Sequence, residues 1–367
     1  GFAPPLSGQY HSRVKHEAVV FFCPSHDPPA ACGKDRMDSR LILVEGCPGS
    51  GKSSTSQFLC RQLQRAGHSC RWYYEEEVPH PVAATKGIGR AKGFREYGTA
   101  TLRRWRAFVS RAKRSDEIAI IESQFFQDVI TPLQRVNVKP ERIGKVIHRM
   151  AEFCAPLKPA LLYFHQPDYG AAMRRILDER GPRVEELYIR RSTGSAYARR
   201  HGLEGYDGFV QSWVDVRDIM EQLLGELGLP TLSIDNTARD WEAYYRQIGE
   251  FLSLPVEPTP ALSADDLRPY TGTYTYKQNL APRRAGGVSR FEGRDVKRRV
   301  GGQRRQMPLH HQNDVEFTIR LENGGLVLRD YGWLWPTNRL IPLKRDVFDL
   351  SSWPFQLAFE RDKSGAV

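Results

Sequence analysis

Residues 46–53 read Gly46-Cys47-Pro48-Gly49-Ser50-Gly51-Lys52-Ser53, between the apolar run Leu41-Ile42-Leu43-Val44 and the segment Ser54-Thr55-Ser56-Gln57-Phe58-Leu59. A Gly-x-x-x-x-Gly-Lys-Ser pattern between a strand and a helix predicts a phosphate-binding loop. Glycines allow backbone conformations that a side chain would obstruct, so that successive N–H groups and the helix N-terminus can point at a β-phosphate. The nucleotide-binding residues predicted from this pattern are Gly46, Gly49, Ser50, Gly51, Lys52, Ser53 and Ser54.

Two of these residues have predicted chemical roles beyond the cradle. Lys52 would supply positive charge toward the β- and γ-phosphates, and the Ser53 hydroxyl is placed to ligate Mg²⁺. We therefore expect ATP and Mg²⁺ as cofactors. An ordinary glycine-rich turn is the alternative, and the order of strand, loop, Lys-Ser and amphipathic helix argues against it.

The composition indicates a protein of about two domains, since 367 residues with 40% hydrophobic content can bury a substantial core. The formal charge of +11 suits an anionic ligand such as a nucleotide and is also compatible with nucleic acid. No apolar run is long enough for a membrane span or a signal sequence, so we expect a cytoplasmic protein without a membrane partner. The six cysteines show no paired C-x-x-C spacing, so neither a disulfide framework nor a zinc site is predicted.

The chain divides by its patterning into a leader, an α/β domain and a β domain. Residues 1–36 are rich in Pro, Gly, His and Ser, and we expect a disordered leader or an upstream extension. Across 37–253, apolar strands alternate with amphipathic helices, which predicts a P-loop NTPase-type α/β fold with a parallel sheet flanked by helices. A proline-rich linker at 254–264 follows, and short strands separated by turns across 265–367 predict a small antiparallel, barrel-like β domain.

Basic clusters lie between the first two strands predicted in the β domain: Arg283-Arg284, Lys297-Arg298-Arg299 and Arg304-Arg305, among many glycines. A solvated flexible loop is the simpler interpretation of such a segment, and weak contact with nucleic acid is the other.

The groups that complete a phosphoryl-transfer site are expected at the carboxyl ends of the parallel strands. After the second strand, Glu75 and Glu77 would share a face by the two-residue strand period while Glu76 faces away, so either could meet an acceptor hydroxyl. After the third strand, Glu122 is placed to hold the Mg²⁺ water shell or the acceptor, and Asp128 is an open candidate. The alternatives are a solvated turn for the glutamates and a helix N-cap after the third strand.

A run of arginines follows the fourth strand and flanks the Gly181-Pro182 break. Arginines beside such a break suit a mobile lid that closes over ATP and carries Arg175, Arg180 and Arg183 toward the γ-phosphate. A surface helix with i,i+4 charge pairs would have a similar composition.

The segment from about 38 to 253 resembles the nucleoside and nucleotide kinases, especially deoxynucleoside kinases and thymidylate kinase. Val78-Pro79-His80-Pro81-Val82 is similar to their V-P-E-P-V segment, Glu122-Ser123 to their E-R-S or D-R segment, and the stretch from Arg175-Ile176 to Glu186 to their R-G-R-x-E-E lid. His80 stands where the resemblance implies an acceptor-activating glutamate, and the arginine expected after Glu122 is absent. His80 could serve as base because imidazole titrates near neutrality.

The C-terminal stretch, from Tyr270-Thr271-Gly272-Thr273-Tyr274 to Phe359-Glu360-Arg361-Asp362-Lys363-Ser364-Gly365, resembles the lipocalin-like β-barrel appended to some bacterial hydrolases. The resemblance implies an accessory or recognition module.

The sequence as a whole predicts an ATP- and Mg²⁺-dependent phosphotransferase acting on a hydroxyl or phosphate of a small molecule such as a nucleoside, nucleotide or antibiotic. Lys52 and the lid arginines would stabilise transferred charge, Ser53 and Glu122 would manage Mg²⁺, and His80, Glu75 or Glu77 would orient the acceptor. The alternative is an ATP-hydrolysing switch or nucleic-acid-associated module without an acceptor pocket.

Overall fold

The computed structural model describes residues 15–22, 38–77, 79–84, 93–277, 297–300, 303–306, 314–329, 337–359 and 361. Its strands are β1 (Lys15–Phe22), β2 (Leu41–Gly46), β3 (Cys70–Tyr73), β4 (Ile118–Glu122), β5 (Ala160–His165), β6 (Thr231–Asp235), β7 (Gly272–Lys277), β8 (Lys297–Val300), β9 (Gln303–Gln306), β10 (Asp314–Glu322), β11 (Gly325–Arg329), β12 (Thr337–Lys344), β13 (Val347–Leu350) and β14 (Phe355–Phe359). Its helices are α1 (Lys52–Arg65), α2 (Phe94–Ala112), α3 (Gln127–Arg135), α4 (Pro140–Cys154), α5 (Tyr169–Arg180), α6 (Pro182–Thr193), α7 (Ala196–His201), α8 (Gly205–Leu227), α9 (Trp241–Leu252) and α10 (Ala264–Leu267).

A five-stranded parallel sheet with the order β3-β4-β2-β5-β6 forms the first unit. Strand β2 lies at its centre, and all six of its residues are buried because helices cover both faces. One face packs a core that includes Trp105, Phe125 and Phe209, and the other face packs Phe58, Leu59 and Ile248 of α1 and α9. The predicted P-loop NTPase-type α/β fold is confirmed.

Three helices of this unit were missed by the sequence patterns. Helix α3 contains Pro132, a residue that normally argues against a helix interior. Helix α6 begins at Pro182, where a proline is tolerated because the first N–H has no helical partner. Helix α7 is only one and a half turns long and follows directly, with the Ser195 hydroxyl accepting from the Ala198 N–H. Gly181, with φ of 86°, separates α5 from α6.

A closed barrel forms the second unit, with the order β1-β14-β13-β12-β11-β10-β7, and its neighbouring strands are antiparallel except for β1 and β7. Its interior is filled by aromatic and aliphatic side chains, including Tyr274, Phe317 and Phe348. The predicted barrel-like β domain is therefore confirmed.

Strand β1 differs from the expectation for residues 1–36, because it pairs antiparallel with β14 and parallel with β7 and closes the barrel. The expectation of a leader without structure is wrong for Lys15–Phe22. Strand partners so distant in sequence leave no local signal, and the run is short. The rest of 1–36 lies outside the described residues.

The basic stretch of the β domain contains a separate two-stranded ribbon, in which β8 pairs antiparallel with β9. This differs from a wholly irregular loop, since Lys297-Arg298-Arg299 and Arg304-Arg305 lie on paired strands. Arg283-Arg284 lies outside the described residues.

Within the described part of the chain, no helix combines the length and apolar character needed to cross a bilayer. Four cysteines there, Cys47, Cys60, Cys70 and Cys154, are free thiols.

Candidate functional site

The loop between β2 and α1 has the backbone of a phosphate cradle. Gly46, Gly49 and Gly51 have φ values of 143°, 79° and 92°, which L-residues rarely adopt. Helix α1 follows Gly51 directly, so its first N–H groups face the loop without a side-chain cap. Backbone amides and the helix dipole together favour an anion here.

Two side chains from other helices pack closely on this loop. A Cβ atom at Gly49 would lie 2.1 Å from the Ile176 Cδ1 atom, and one at Gly51 would lie 2.1 Å from the Trp241 Cη2 atom. Backbone conformation favours glycine at both positions, and the Trp241 ring also leaves no space for a side chain at Gly51, whereas the Ile176 methyl group beside Gly49 can shift. The start of α9 and the middle of α5 together fix the loop from outside the sheet.

Lys52 is held inside the loop with its charge directed at the cradle. Its Nζ donates to the Cys47 carbonyl and to Gln127 Oε1, both at 2.9 Å, and the side chain is only 5% exposed. Both acceptors are neutral, so neither offsets the positive charge that Lys52 offers to a phosphate.

Ser53 and Glu122 meet at the edge of the loop. The Ser53 hydroxyl donates to Glu122 Oε1, and Trp72 Nε1 donates to Glu122 Oε2 at 2.9 Å. Burial, with the nearby charge of Glu75, raises the pKa of Glu122 to about 8. A hydroxyl and a carboxylate in contact fit the few protein ligands that Mg²⁺ takes beside a phosphate. No cluster of three or more His, Cys, Asp or Glu ligands occurs among the described residues.

A carboxylate and amide cluster lies beside Lys52. Gln127 Nε2 donates to Glu75 Oε1 at 3.2 Å and to Asp128 Oδ1 at 3.3 Å, while Gln124 donates to Asp128 Oδ2. Burial, with the charge of Glu75, raises the pKa of Asp128 well above its usual range. The structure thus brings Glu75, Asp128 and Glu122 together next to the phosphate loop.

Glu45 is a site residue that sequence reasoning missed. It precedes the loop in β2, is fully buried, and accepts from the Phe125 N–H at 2.8 Å and from the Gln127 N–H at 3.1 Å. Burial raises the pKa of Glu45 to about 7, although the backbone hydrogen bonds lower it in part. Glu45 therefore positions Gln127, the side chain that contacts both Lys52 and Glu75. A charged residue inside an otherwise apolar strand was the available signal.

Glu77 lies away from the cluster, because β3 ends at Tyr73 and its alternation does not continue to residue 77. Glu77 pairs with Arg71 at 2.5 Å, whereas Glu75 and Glu76 sit in a turn and both line the cavity beside the loop. The prediction that Glu75 and Glu77 share a face, with Glu76 facing away, is wrong.

His80 is held by its own turn. Its Nδ1 accepts from the Val82 and Ala83 N–H groups at 3.3 and 3.2 Å, and its ring packs edge-on against Tyr73. Burial lowers the pKa of His80 to about 4. The nitrogen lone pair that a base would use is occupied by the backbone.

Unfolding at acid pH is expected to depend on His80. Folding lowers the pKa of His80 from an ordinary 6.5 to about 4, so protonation favours the unfolded chain. The free energy of unfolding is therefore unaffected by His80 above pH 6.5 and decreases as the pH falls toward 4. The loss amounts to about 3 kcal/mol at most. Urea unfolding of wild type and His80→Gln between pH 4 and 7.5 measures it, with exposed His201→Gln as control. The same dependence of the unfolding free energy on pH in all three proteins would contradict this role.

The expected lid consists of two packed helices, α5 and α6, joined at Gly181. Arg180 lines the cavity and donates to the Tyr188 hydroxyl at 2.8 Å, and burial lowers its pKa. Arg175 and Arg183 are exposed. Arg180 is thus the member of the predicted set that the structure brings to the site.

A cavity of about 1330 Å³ extends from the phosphate loop. Ligand pockets usually hold about 300–1,000 Å³, so there is room for more than one ligand. One part of its lining is aromatic: Tyr97, Tyr188, Phe209 and Trp213. Another part is formed by the barrel, including Ser351 and Ser352.

No protein-family model and no curated protein matches the chain. Among solved structures, the chain is similar to a protein of the PezAT chromosomal toxin-antitoxin system of Streptococcus pneumoniae, with 16% identity, 51% of this chain and 64% of that chain covered, and a TM-score of 0.24. It is also similar to a GTPase in apo form from Pyrococcus abyssi, with 13% identity, 59% of this chain and 98% of that chain covered, and a TM-score of 0.26.

The geometry defines the class of protein. A central parallel strand, a loop with three positive-φ glycines, a buried lysine and a helix N-terminus are the parts of a P-loop NTPase-type fold.

Proposed function

We propose that this protein is an ATP- and Mg²⁺-dependent phosphotransferase that passes the γ-phosphoryl group to a hydroxyl or phosphate of a small molecule. The observation that supports it most is the contact chain Lys52–Gln127–Glu75. It runs from the phosphate cradle to a carboxylate in a cavity large enough for nucleotide and acceptor together. A hydrolase needs room only for water at this point.

In the proposed reaction, an acceptor oxygen attacks the γ-phosphorus, the bond to the β-phosphate oxygen breaks, and ADP leaves. Glu75 takes the acceptor proton, and Asp128 stands beside it as the second carboxylate. Lys52 and Arg180 stabilise the charge that develops on the phosphoryl oxygens. Ser53 and Glu122 would hold Mg²⁺, which supplies charge neutralisation at the phosphates when bound.

The aromatic part of the cavity is proposed to hold the acceptor. Tyr97, Tyr188 and Trp213 line the cavity, Tyr188 half-buried and the other two almost fully buried, and the Arg135 guanidinium lies 5.9 Å from the Trp213 ring. Buried nearby, the Thr131 hydroxyl lacks a hydrogen-bond partner among the described residues. These groups fit a ring-bearing molecule with polar substituents, such as a nucleoside, a nucleotide or an antibiotic.

An acceptor screen tests this function. The protein is incubated with ATP, Mg²⁺ and pooled nucleosides, nucleotides and aminoglycoside-like antibiotics, and mass spectrometry detects a gain of one phosphate. A kinase should release ADP only when the right acceptor is present. ATP hydrolysis at an acceptor-independent rate, with no phosphorylated product, would overturn the proposal.

The basic ribbon favours a second candidate, a nucleic-acid-associated ATPase. In the register of β8 and β9, Arg298 is opposite Arg305 and Arg299 is opposite Arg304. Five basic residues on two paired strands concentrate positive charge in this segment, which suits a polyanion. Stimulation of ATP hydrolysis by nucleic acid, lost at high salt, would favour this candidate over the kinase.

Among the lid arginines, we expect Arg180→Ala to lower kcat about 10²-fold, since a cation aimed at the transferred group acts mainly in the transition state. The KM for ATP should change little. The same substitution at exposed Arg175 or Arg183 is expected to leave kcat within about twofold. Steady-state kinetics of the three variants measures these changes. An equal change in kcat at all three positions would contradict the proposed role of Arg180.

A further inference from the structure

The barrel is bound to the helix that carries the phosphate loop. The Ser54 and Ser352 hydroxyls are 2.7 Å apart. Gln57 Nε2 donates to the carbonyls of Leu350 and Trp353 at 2.9 and 2.8 Å. Ser54 directly follows Ser53, so the barrel reaches the first turn of α1.

Two further contacts extend this interface along the same face of α1. The amide oxygen of Gln57 accepts from the Ser352 N–H at 3.3 Å, and Arg61 pairs with Asp349 at 2.7 Å. Both Gln57 and Asp349 are only 5% exposed. Buried polar groups that satisfy one another in this way fix a defined geometry between two surfaces. The loop of residues 350–353 therefore has a fixed place beside the phosphate loop.

The cavity lining includes two groups of residues. Lys52, Gln127 and Glu75 are joined by hydrogen bonds and form the reacting end. Ser54, the Ser351–Ser352 pair and Trp241, which packs on Gly51, line the same cavity. A nucleotide whose γ-phosphate meets the reacting end must place its nucleoside against other parts of the lining.

We propose that the barrel forms one wall of the nucleoside subsite, opposite Trp241, so that the sugar and base of the bound nucleotide contact both structural units. This proposal rests on the nucleotide binding that the proposed function includes. The wall suits a nucleoside chemically. Trp241 presents an aromatic ring to a planar base, and the serine hydroxyls can exchange hydrogen bonds with ring nitrogens or sugar hydroxyls.

The barrel thereby has a defined part in nucleotide recognition. Phosphate groups are held within the first unit, whereas the affinity for the nucleoside depends on the second unit. Inorganic tripolyphosphate, which has the phosphates and lacks the nucleoside, separates the two contributions.

The test is a set of calorimetric titrations of the full chain with ATP, GTP and tripolyphosphate in the presence of Mg²⁺. Ser351→Tyr places a ring in the proposed wall, while its backbone N–H can still donate to the Arg339 carbonyl, a bond of 2.8 Å in the wild type. It is expected to weaken binding of the preferred nucleotide at least tenfold and to leave tripolyphosphate binding within about twofold. Ser110→Tyr, on the exposed surface of α2, is the matched control and should bind all three as the wild type does.

A second, smaller substitution tests the same wall in case Ser351→Tyr does not fold. Ser352 has φ of 66°, which glycine adopts readily, so Ser352→Gly removes the hydroxyl without straining the turn. It should weaken binding of the preferred nucleotide about threefold and leave binding of tripolyphosphate unchanged.

Equal losses of nucleotide and tripolyphosphate would overturn the proposal, since the barrel would then act only through α1. Unchanged nucleotide binding in both variants would also overturn it while leaving the phosphate loop assignment intact. A wild type that binds neither ligand would overturn the nucleotide site as well. Failure to find an acceptor bears on phosphoryl transfer alone and does not alter these binding results.

Discussion

Lys52→Ala is expected to lower phosphoryl transfer at least 10²- to 10³-fold, because it removes the buried cation nearest the transferred group. The same change leaves Gln127 Oε1 and the Cys47 carbonyl without their donor, since both accept from Lys52 Nζ at 2.9 Å. Leaving buried acceptors unpaired costs about 1–3 kcal/mol, so the variant should be less stable and still folded. Acceptor-dependent ADP release, circular dichroism and urea unfolding together measure both effects.

The control for Lys52→Ala is Lys145→Ala, on the exposed surface of α4. It removes one positive charge at a distance from the loop and should keep turnover within about twofold. Wild-type turnover in a folded Lys52→Ala variant would contradict the assignment of the loop as the binding site of the phosphoryl donor.

Glu75→Gln is expected to lower kcat by about 10²- to 10⁴-fold, the range for loss of a positioned proton acceptor. The amide keeps the size of the side chain and can still accept from Gln127, so the geometry of the cluster should persist. The KM for ATP should stay within about threefold, because the loop, and not Glu75, binds the phosphates.

Glu77→Gln is the matched comparison, since Glu77 is two residues away and paired with Arg71 instead. It should retain turnover within about twofold and lose up to about 1 kcal/mol of unfolding free energy. A loss of activity in Asp128→Asn, with none in Glu75→Gln, would transfer the role of base to Asp128.

The fold could be predicted largely because its signals are local. The run Leu41-Ile42-Leu43-Val44, the glycines and Lys52-Ser53 lie within 13 consecutive residues, and each has a direct physical meaning. Alternating apolar segments located most strands and helices to within a few residues. The patterns failed where a proline stands at the start of a helix, as in α6, or inside one, as in α3.

The site was less accessible to sequence reasoning, because its side chains meet through pairings that are distant in the chain. Glu45 and Gln127 are 82 residues apart, and nothing near either residue indicates the other. Trp241 packs on Gly51, although the two residues lie near opposite ends of the α/β unit in sequence. Glu77 was assigned by its position after a strand, and the actual end of β3 directs it elsewhere. His80 was assigned by the resemblance to a V-P-E-P-V segment, and its ring is held by its own turn instead.

The closure of the barrel by β1 makes the α/β unit an insertion between two strands of one barrel. The chain leaves the barrel after β1, builds the whole parallel sheet, and returns at β7, the parallel neighbour of β1. Two covalent tethers therefore join the units, where a simple tandem arrangement has one. Any rotation between the two units must be accommodated at both connections. Opening of the barrel away from α1 would therefore involve both of them.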